Sequence, residues 1–236
     1  MVLTRPIREK YAQNVIEFLT QLKGSRSFLL RGQPKHNELL LPSVAREWTK
    51  SLNPLISVER TMMHNWKRLA LPFLDIHPKN QWEWLVLAQH HGMPTRLLDW
   101  TRNPLVALYF ACANDEECDG EVFIISLNSH LRELDFARQA DPFKIKTSVY
   151  FTPPHITPRL AAQASYFTAS ADPRKPLRYS KKIAIPGNRK THLLNELDEL
   201  GIHPATLFPD LTGVARYTAY QTRQMKGPFL RDPGLI

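Results

Sequence analysis

Apolar positions recur along the chain at two spacings, one helical and one alternating. Val15, Ile16, Phe18, Leu19 and Leu22 fall at helical spacing and Gly24 follows as a C-cap, which predicts a first helix over 14–22. SFLLRGQ, Ser27 to Gln33, predicts a short strand that ends on charge. LLLPSVAR, Leu39 to Arg46, predicts a Pro-Ser turn and a short helix capped by the Ser43 side chain. Ile56 to Ala70 predicts an amphipathic helix whose Met62, Met63, Trp66 and Leu69 form a core stripe, and Gln81 to His90 a further helix closed by His91-Gly92. After the Asp119-Gly120 turn, EVFIISL (Glu121 to Leu127) predicts a strand, as does KKIAIP (Lys181 to Pro186). Arg189 to Leu200 predicts a helix with Leu193, Leu194, Leu197 and Leu200 on its apolar face, and Val214 to Tyr220 a last short one. Asn128 to Phe151 is irregular and reads as helix and loop; Tyr150 to Ser170 reads either as a strand carrying Gln163 near its end or as a short helix.

One stretch breaks both periodicities. Leu87 to Asn114, LAQHHGMPTRLLDWTRNPLVALYFACAN, sets Thr95, Arg96, Asp99, Trp100, Thr101 and Arg102 around two leucines before an apolar run starts. Pro94 and Pro104 fit a loop, a short strand and a helix opening at Asn103-Pro104, since proline at the first helical position loses no needed N–H. The polar cluster then sits at a strand-to-helix junction, where unpaired backbone N–H groups favour phosphate.

Composition narrows the setting. The 236 residues are 43% hydrophobic, enough for a sizeable core, and 19 prolines against 9 glycines imply many fixed turns and few flexible linkers. With no repeat and no linker, one domain spanning 1–236 is expected. The formal net charge of +9 favours a polyanionic partner or a phosphate-bearing ligand, though bulk charge locates no patch. Two cysteines, Cys112 and Cys118, and the lack of a signal-like or membrane-spanning segment point to a reduced, cytoplasmic protein.

Arg31, Gly32 and Gln33 end a buried strand, and that arrangement suits a phosphate or ribose; the alternative is an arginine paired with an internal carboxylate. Arg46 returns to the same site. His90 and His91 have no second ligand pair at metal spacing, so no metal is expected, and one of them hydrogen-bonds a ligand or the turn. Asp99 beside Arg96 and Arg102 reads equally as a structural ion pair or a catalytic acid. Trp100 reads as core before stacking platform, and Thr95 as a turn cap or a ligand contact.

FLLRGQ, LPSVAR, AQHHGMPTRLLDWTRNPLVALYFAC, PRLAAQASYF and LDELGIHPATLFPDL, in this order, resemble the bacterial FRG domain family over residues 25–220. The layout is also similar to the ADP-ribosyltransferase fold, which implies an α+β domain with a split, mostly antiparallel sheet flanked by helices. The resemblance implies NAD as substrate, no metal, and ADP-ribosyl transfer to a macromolecular acceptor in a toxin or antiphage setting. The basic balance suggests nucleic acid as that acceptor. By this likeness Arg31 holds a phosphate or the nicotinamide ribose, Thr101 takes the hydroxyl position and Gln163 stands where a catalytic Glu is expected, leaving Asp99 as the leading acid. Arg31, Gly32, Gln33, Arg46, His90, His91, Thr95, Arg96 and Trp100 are the candidate NAD contacts. Ala164 and Ser165 stand where the family pattern usually has glycine. A non-catalytic nucleotide- or nucleic-acid-binding module is the alternative, and a metal-dependent nuclease ranks third for want of a carboxylate cluster.

Overall fold

The backbone forms strands where β-branched and aromatic residues alternate, and helices where capped apolar stripes recur. A computed structural model describes residues 10–24, 27–48, 54–75, 77–113, 118–127, 131–153 and 157–224. The readings that fall on residues 1–9, 114–117, 128–130 and 154–156 lie outside them.

The strands are β1 (Lys10–Tyr11), β2 (Phe28–Gln33), β3 (Leu97–Thr101), β4 (Gly120–Ser126), β5 (Arg132–Glu133), β6 (Val149–Phe151), β7 (Ser165–Ala169) and β8 (Lys181–Ile185). The helices are α1 (Val15–Gln21), α2 (Ser43–Glu47), α3 (Leu55–Ala70), α4 (Gln81–His90), α5 (Pro104–Cys112), α6 (Pro158–Ala162), α7 (Lys190–Glu199), α8 (Pro204–Leu207) and α9 (Leu211–Gln224). Among the described residues, all eight strands join one open α+β sheet in the order β1-β8-β4-β2-β3-β7-β6-β5. Only β1 with β8 and β5 with β6 run parallel.

The sheet has a seam. β2 pairs with β4 along its whole length, from Phe28 opposite Ser126 to Gln33 opposite Glu121, and β3 pairs with all of β7. Between β2 and β3 a single residue pair is registered, Leu30 opposite Thr101. Each half has its own core: α1, α5 and α7 bury Phe18, Leu108, Leu193 and Leu197 against Leu30, Val122 and Ile183, while Trp82 and Leu85 of α4 pack on Leu97, Phe151 and Phe167. Side chains alternate along strands, so Leu29, Leu98, Trp100, Phe123 and Ile125 face the other way and meet Leu40, Leu131 and Leu177 from loops.

Several expectations are corrected. Ser43 does not cap α2; Pro42 does so without a side-chain bond, and the Ser43 hydroxyl accepts from the Thr95 N–H at 3.1 Å. Leu69 is 71% exposed, so the α3 stripe turns on Met63 and a buried Glu59 instead. Leu200 is also exposed, lying past the end of α7. Residues 131–151, read as helix and loop, supply β5 and β6, and β1 was not foreseen: two- and three-residue strands carry too little periodicity to be seen. The stretch 150–170 holds both a short helix, as one reading has it, and a strand, but Gln163 is not on the strand. It is the C-cap of α6, two residues ahead of β7, and Ala164 between them takes φ +45°.

Candidate functional site

The seam opens into a cavity of about 240 Å³. Past the Leu30–Thr101 pair, β2 and β3 no longer exchange backbone bonds, and the Arg31 side chain fills in. Its Nη1 donates to the backbone oxygen of Asp99 at 2.9 Å and lies 3.5 Å from the Asp99 carboxylate. The Arg31 side chain is 17% exposed; burial lowers its pKa, Asp99 opposes that shift and nearby Arg46 adds to it. An arginine remains charged through such a shift.

The Asp99 carboxylate is 57% exposed and is the one acid among the described residues lining the cavity. It also accepts from Gln89 Nε2 at 3.0 Å. Gln89 is oriented in turn by the Thr95 hydroxyl, which donates to its Oε1, and Thr95 Oγ1 accepts from the Leu97 N–H at 3.1 Å. Thr95, Gln89 and Arg31 thus hold the carboxylate in one position at the cavity edge. Arg159 of α6 lines the opposite wall with its guanidinium 4.6 Å from the Phe208 ring centroid. Val106 and Phe110, one turn apart on α5, and Leu160 and Phe167 supply apolar surface. His90 faces the same space, its pKa lowered first by burial and then by Arg159 and His91, which keeps the ring neutral near pH 7.

The cavity therefore gathers Arg31, Gly32, His90, Asp99, Trp100, Thr101 and Gln163 from the expected set. The polar groups of Thr101 and Gln163 depart from their expected roles, while Trp100 keeps to the core reading. Thr101 donates its hydroxyl to the Gln163 backbone oxygen at 2.7 Å and accepts from the Asn103 N–H at 3.0 Å, so it locks the β3–α5 junction. The Gln163 amide donates to the Leu207 backbone oxygen at 3.0 Å, tying α6 to α8. Trp100 borders the cavity and, as its core reading has it, its indole lies in the opposite core and donates to Thr168 at 2.9 Å.

Gly32 needs its hydrogen for a different neighbour than a ligand. A Cβ there would stand 2.0 Å from the Ala107 oxygen and 2.5 Å from the Ala111 nitrogen, so glycine lets α5 lie directly on β2. The phosphate seat expected at the α5 N-terminus is partly taken as well. The Asn103 N–H goes to Thr101, Pro104 has none, and the Leu105 N–H goes to the Asn103 side chain at 3.0 Å.

The remaining expected contacts lie elsewhere. Arg96 is 3% exposed and forms a bidentate pair with buried Glu59 at 2.8 and 2.6 Å, with Pro142 oxygen at 2.8 Å. It is thus Arg31, not Arg96 or Arg102, that pairs with Asp99; Arg102 lies over the Tyr166 ring. Thr95 is buried behind Gln89, and His91 is exposed beside Trp66. Gln33 and Arg46 lie outside the cavity on the far side of Arg31: Gln33 accepts from Arg31 Nε, and Arg46 donates to the Leu41 oxygen. Sequence reasoning missed Gln89, Arg159 and Phe110. Arg159 sits inside a stretch already singled out, five residues before Ala164; Gln89 and Phe110 gave no signal beyond helical phase.

Residues 26–120 match the family model of the FRG domain, a span that runs from the start of β2 through α5 to the first residue of β4. The match supports the FRG domain assignment and includes both strands of the seam. No curated protein and no solved structure matches the chain.

Proposed function

We propose that this cavity holds the nicotinamide-ribose end of NAD and that the protein transfers ADP-ribose to a macromolecular acceptor. The observation that carries the reading is the Asp99 carboxylate, exposed and held by Arg31 and Gln89 at the edge of a cavity walled by Arg159 and His90. At about 240 Å³ the space is smaller than a whole-ligand pocket and suits one ring with its sugar. In the transfer, the bond from ribose C1′ to the nicotinamide nitrogen breaks and its electron pair leaves with nicotinamide. The acceptor's nucleophilic atom bonds C1′ and loses its proton. Asp99 supplies the negative charge that stabilises the oxocarbenium-like centre, and Arg31 and Arg159 face the phosphates. Nucleic acid is the acceptor that the charge of +9 favours, a chemistry suited to a toxin or antiphage effector.

A second reading, a nucleotide-binding module without turnover, is favoured by one observation: Thr101 and Gln163, both at positions of the transferase layout, spend their polar groups inside the protein. Incubation with labelled NAD plus DNA, RNA or a protein lysate separates the two. Transfer predicts label on one polymer class with stoichiometric nicotinamide release, both falling roughly 10²- to 10³-fold in Asp99→Asn while NAD binding changes little. Bound NAD without nicotinamide release would leave the binding module standing instead.

A further inference from the structure

A second cavity, of about 440 Å³, lies behind the first, between α5, α7, α8 and α9. The two share a partition: Phe110 lines both, and Phe208, which lines the second, meets Phe110 edge-on with centroids 6.2 Å apart. That partition is flanked by guanidiniums: Arg159 is 4.6 Å and Arg216 5.7 Å from the Phe208 centroid. The α9 sequence LTGVARYTAYQTRQ contains no acid, and Arg216, Tyr220 and Arg223 fall at i, i+4 and i+7, all lining the second cavity.

One flat ring, His203, and one acceptor, Asp198, complete the lining. His203 stacks on Tyr217 with centroids 3.9 Å apart and planes 9° apart. Asp198 accepts the Tyr217 hydroxyl hydrogen, which raises the Tyr217 pKa and keeps it a donor. Asp198 Oδ1 is shielded from solvent and accepts no hydrogen bond among the described residues. A carboxylate oxygen in that state calls for a donor. Aromatic rings call for a flat partner and the arginines for an anion.

We infer that the second cavity is a nucleotide site for a base bearing an exocyclic amine, with the amine on Asp198 Oδ1, the ring extending the His203–Tyr217 stack and the phosphate on Arg216 and Arg223. Adenine and cytosine satisfy this; uracil and thymine present a carbonyl at that place and are repelled by the carboxylate. The base has two possible sources, the adenosine end of a dinucleotide whose diphosphate crosses the Arg159–Arg216 pair, or a base of a single strand. The first source rests on the NAD reading of the neighbouring cavity; the base site itself does not.

The test uses the full chain and calorimetric titration with AMP, CMP, UMP, NAD and a deoxyadenosine 12-mer. AMP and CMP should bind, with UMP roughly tenfold weaker or worse. Binding should be lost in Asp198→Ala and in Ala219→Trp, which fills the cavity without removing a polar group, and kept in Asp99→Asn, which alters only the first cavity. A parallel loss of NAD affinity in Ala219→Trp assigns the site to the dinucleotide; a loss of 12-mer affinity with NAD unchanged assigns it to the strand. Equal binding of UMP, AMP binding that survives in a folded Ala219→Trp, or no AMP binding at millimolar concentration overturns the base site. NAD turnover, measured beside these, reports separately on the first cavity.

Discussion

Ala164 shows how much one torsion angle can carry. It sits at φ +45°, where an L side chain costs about 1–2 kcal/mol, between the α6 cap at Gln163 and the start of β7. Ala164→Gly should therefore stabilise the protein by about 1 kcal/mol in urea unfolding, less the entropy glycine adds to the unfolded chain. An unchanged or lower midpoint would mean that the turn tolerates alanine without strain. The absence of glycine here was readable from sequence; the left-handed turn was not, because it arises only where α6 is stopped by the docking of Gln163 on Leu207. His90 carries a prediction in pH. Its folded pKa lies below its unfolded value of about 6.5, so the stability it contributes is present above that value and is lost as pH falls through the depressed one. Urea midpoints of the wild type should fall more between pH 7.5 and pH 5 than those of His90→Gln, and equal falls would remove His90 as the source.

Among the elements, the α5 unit was the most legible and its reason the least. Asn103-Pro104 marks the start, and the apolar run after it demands burial on most sides, as observed for Val106 to Tyr109. What the pattern hides is how closely the helix approaches the sheet. Gly32 and Gly120, on neighbouring strands, both remove a side chain where α5 backbone lies: a Cβ at Gly120 would meet the Ala111 oxygen at 2.2 Å. Read alone, Arg-Gly-Gln invites a ligand-binding interpretation, whereas the glycine answers to a helix some 75 residues further on. Gly32→Ala should destabilise by about 1–3 kcal/mol or more by overpacking, with a lower thermal midpoint as the readout. A midpoint within a degree of wild type would refute the close approach. Charge placement was equally hard to read: Arg96 lies three residues from Asp99 and finds Glu59 on α3 instead, a pairing no local window contains.

On the scale of the molecule, the FRG-matching span has an odd property. Residues 26–120 include β2 and β3 but only the first residue of β4 and none of β7, their principal partners. A fragment of that span would keep one strand-to-strand residue pair, Leu30 opposite Thr101. It should show no cooperative unfolding transition by circular dichroism, whereas residues 10–224 should melt as a unit; a cooperative melt of the fragment would contradict the partnering described. The candidate site follows the same division, since Arg31, Asp99 and Gln89 come from within the matched span and Arg159 from beyond it.

The seam also decides how the two halves are tied together. The chain passes over it between β2 and β3, returns for β4, leaves again for β5 and comes back at β8. Mechanically this is a joint laced by four threads: besides the Leu30–Thr101 pin, Leu29, Phe123 and Ile125 of one half pack with Leu98 and Trp100 of the other on the far face. Arg31 is the catch on that joint, so whatever competes for its guanidinium also takes away a tie between β2 and β3.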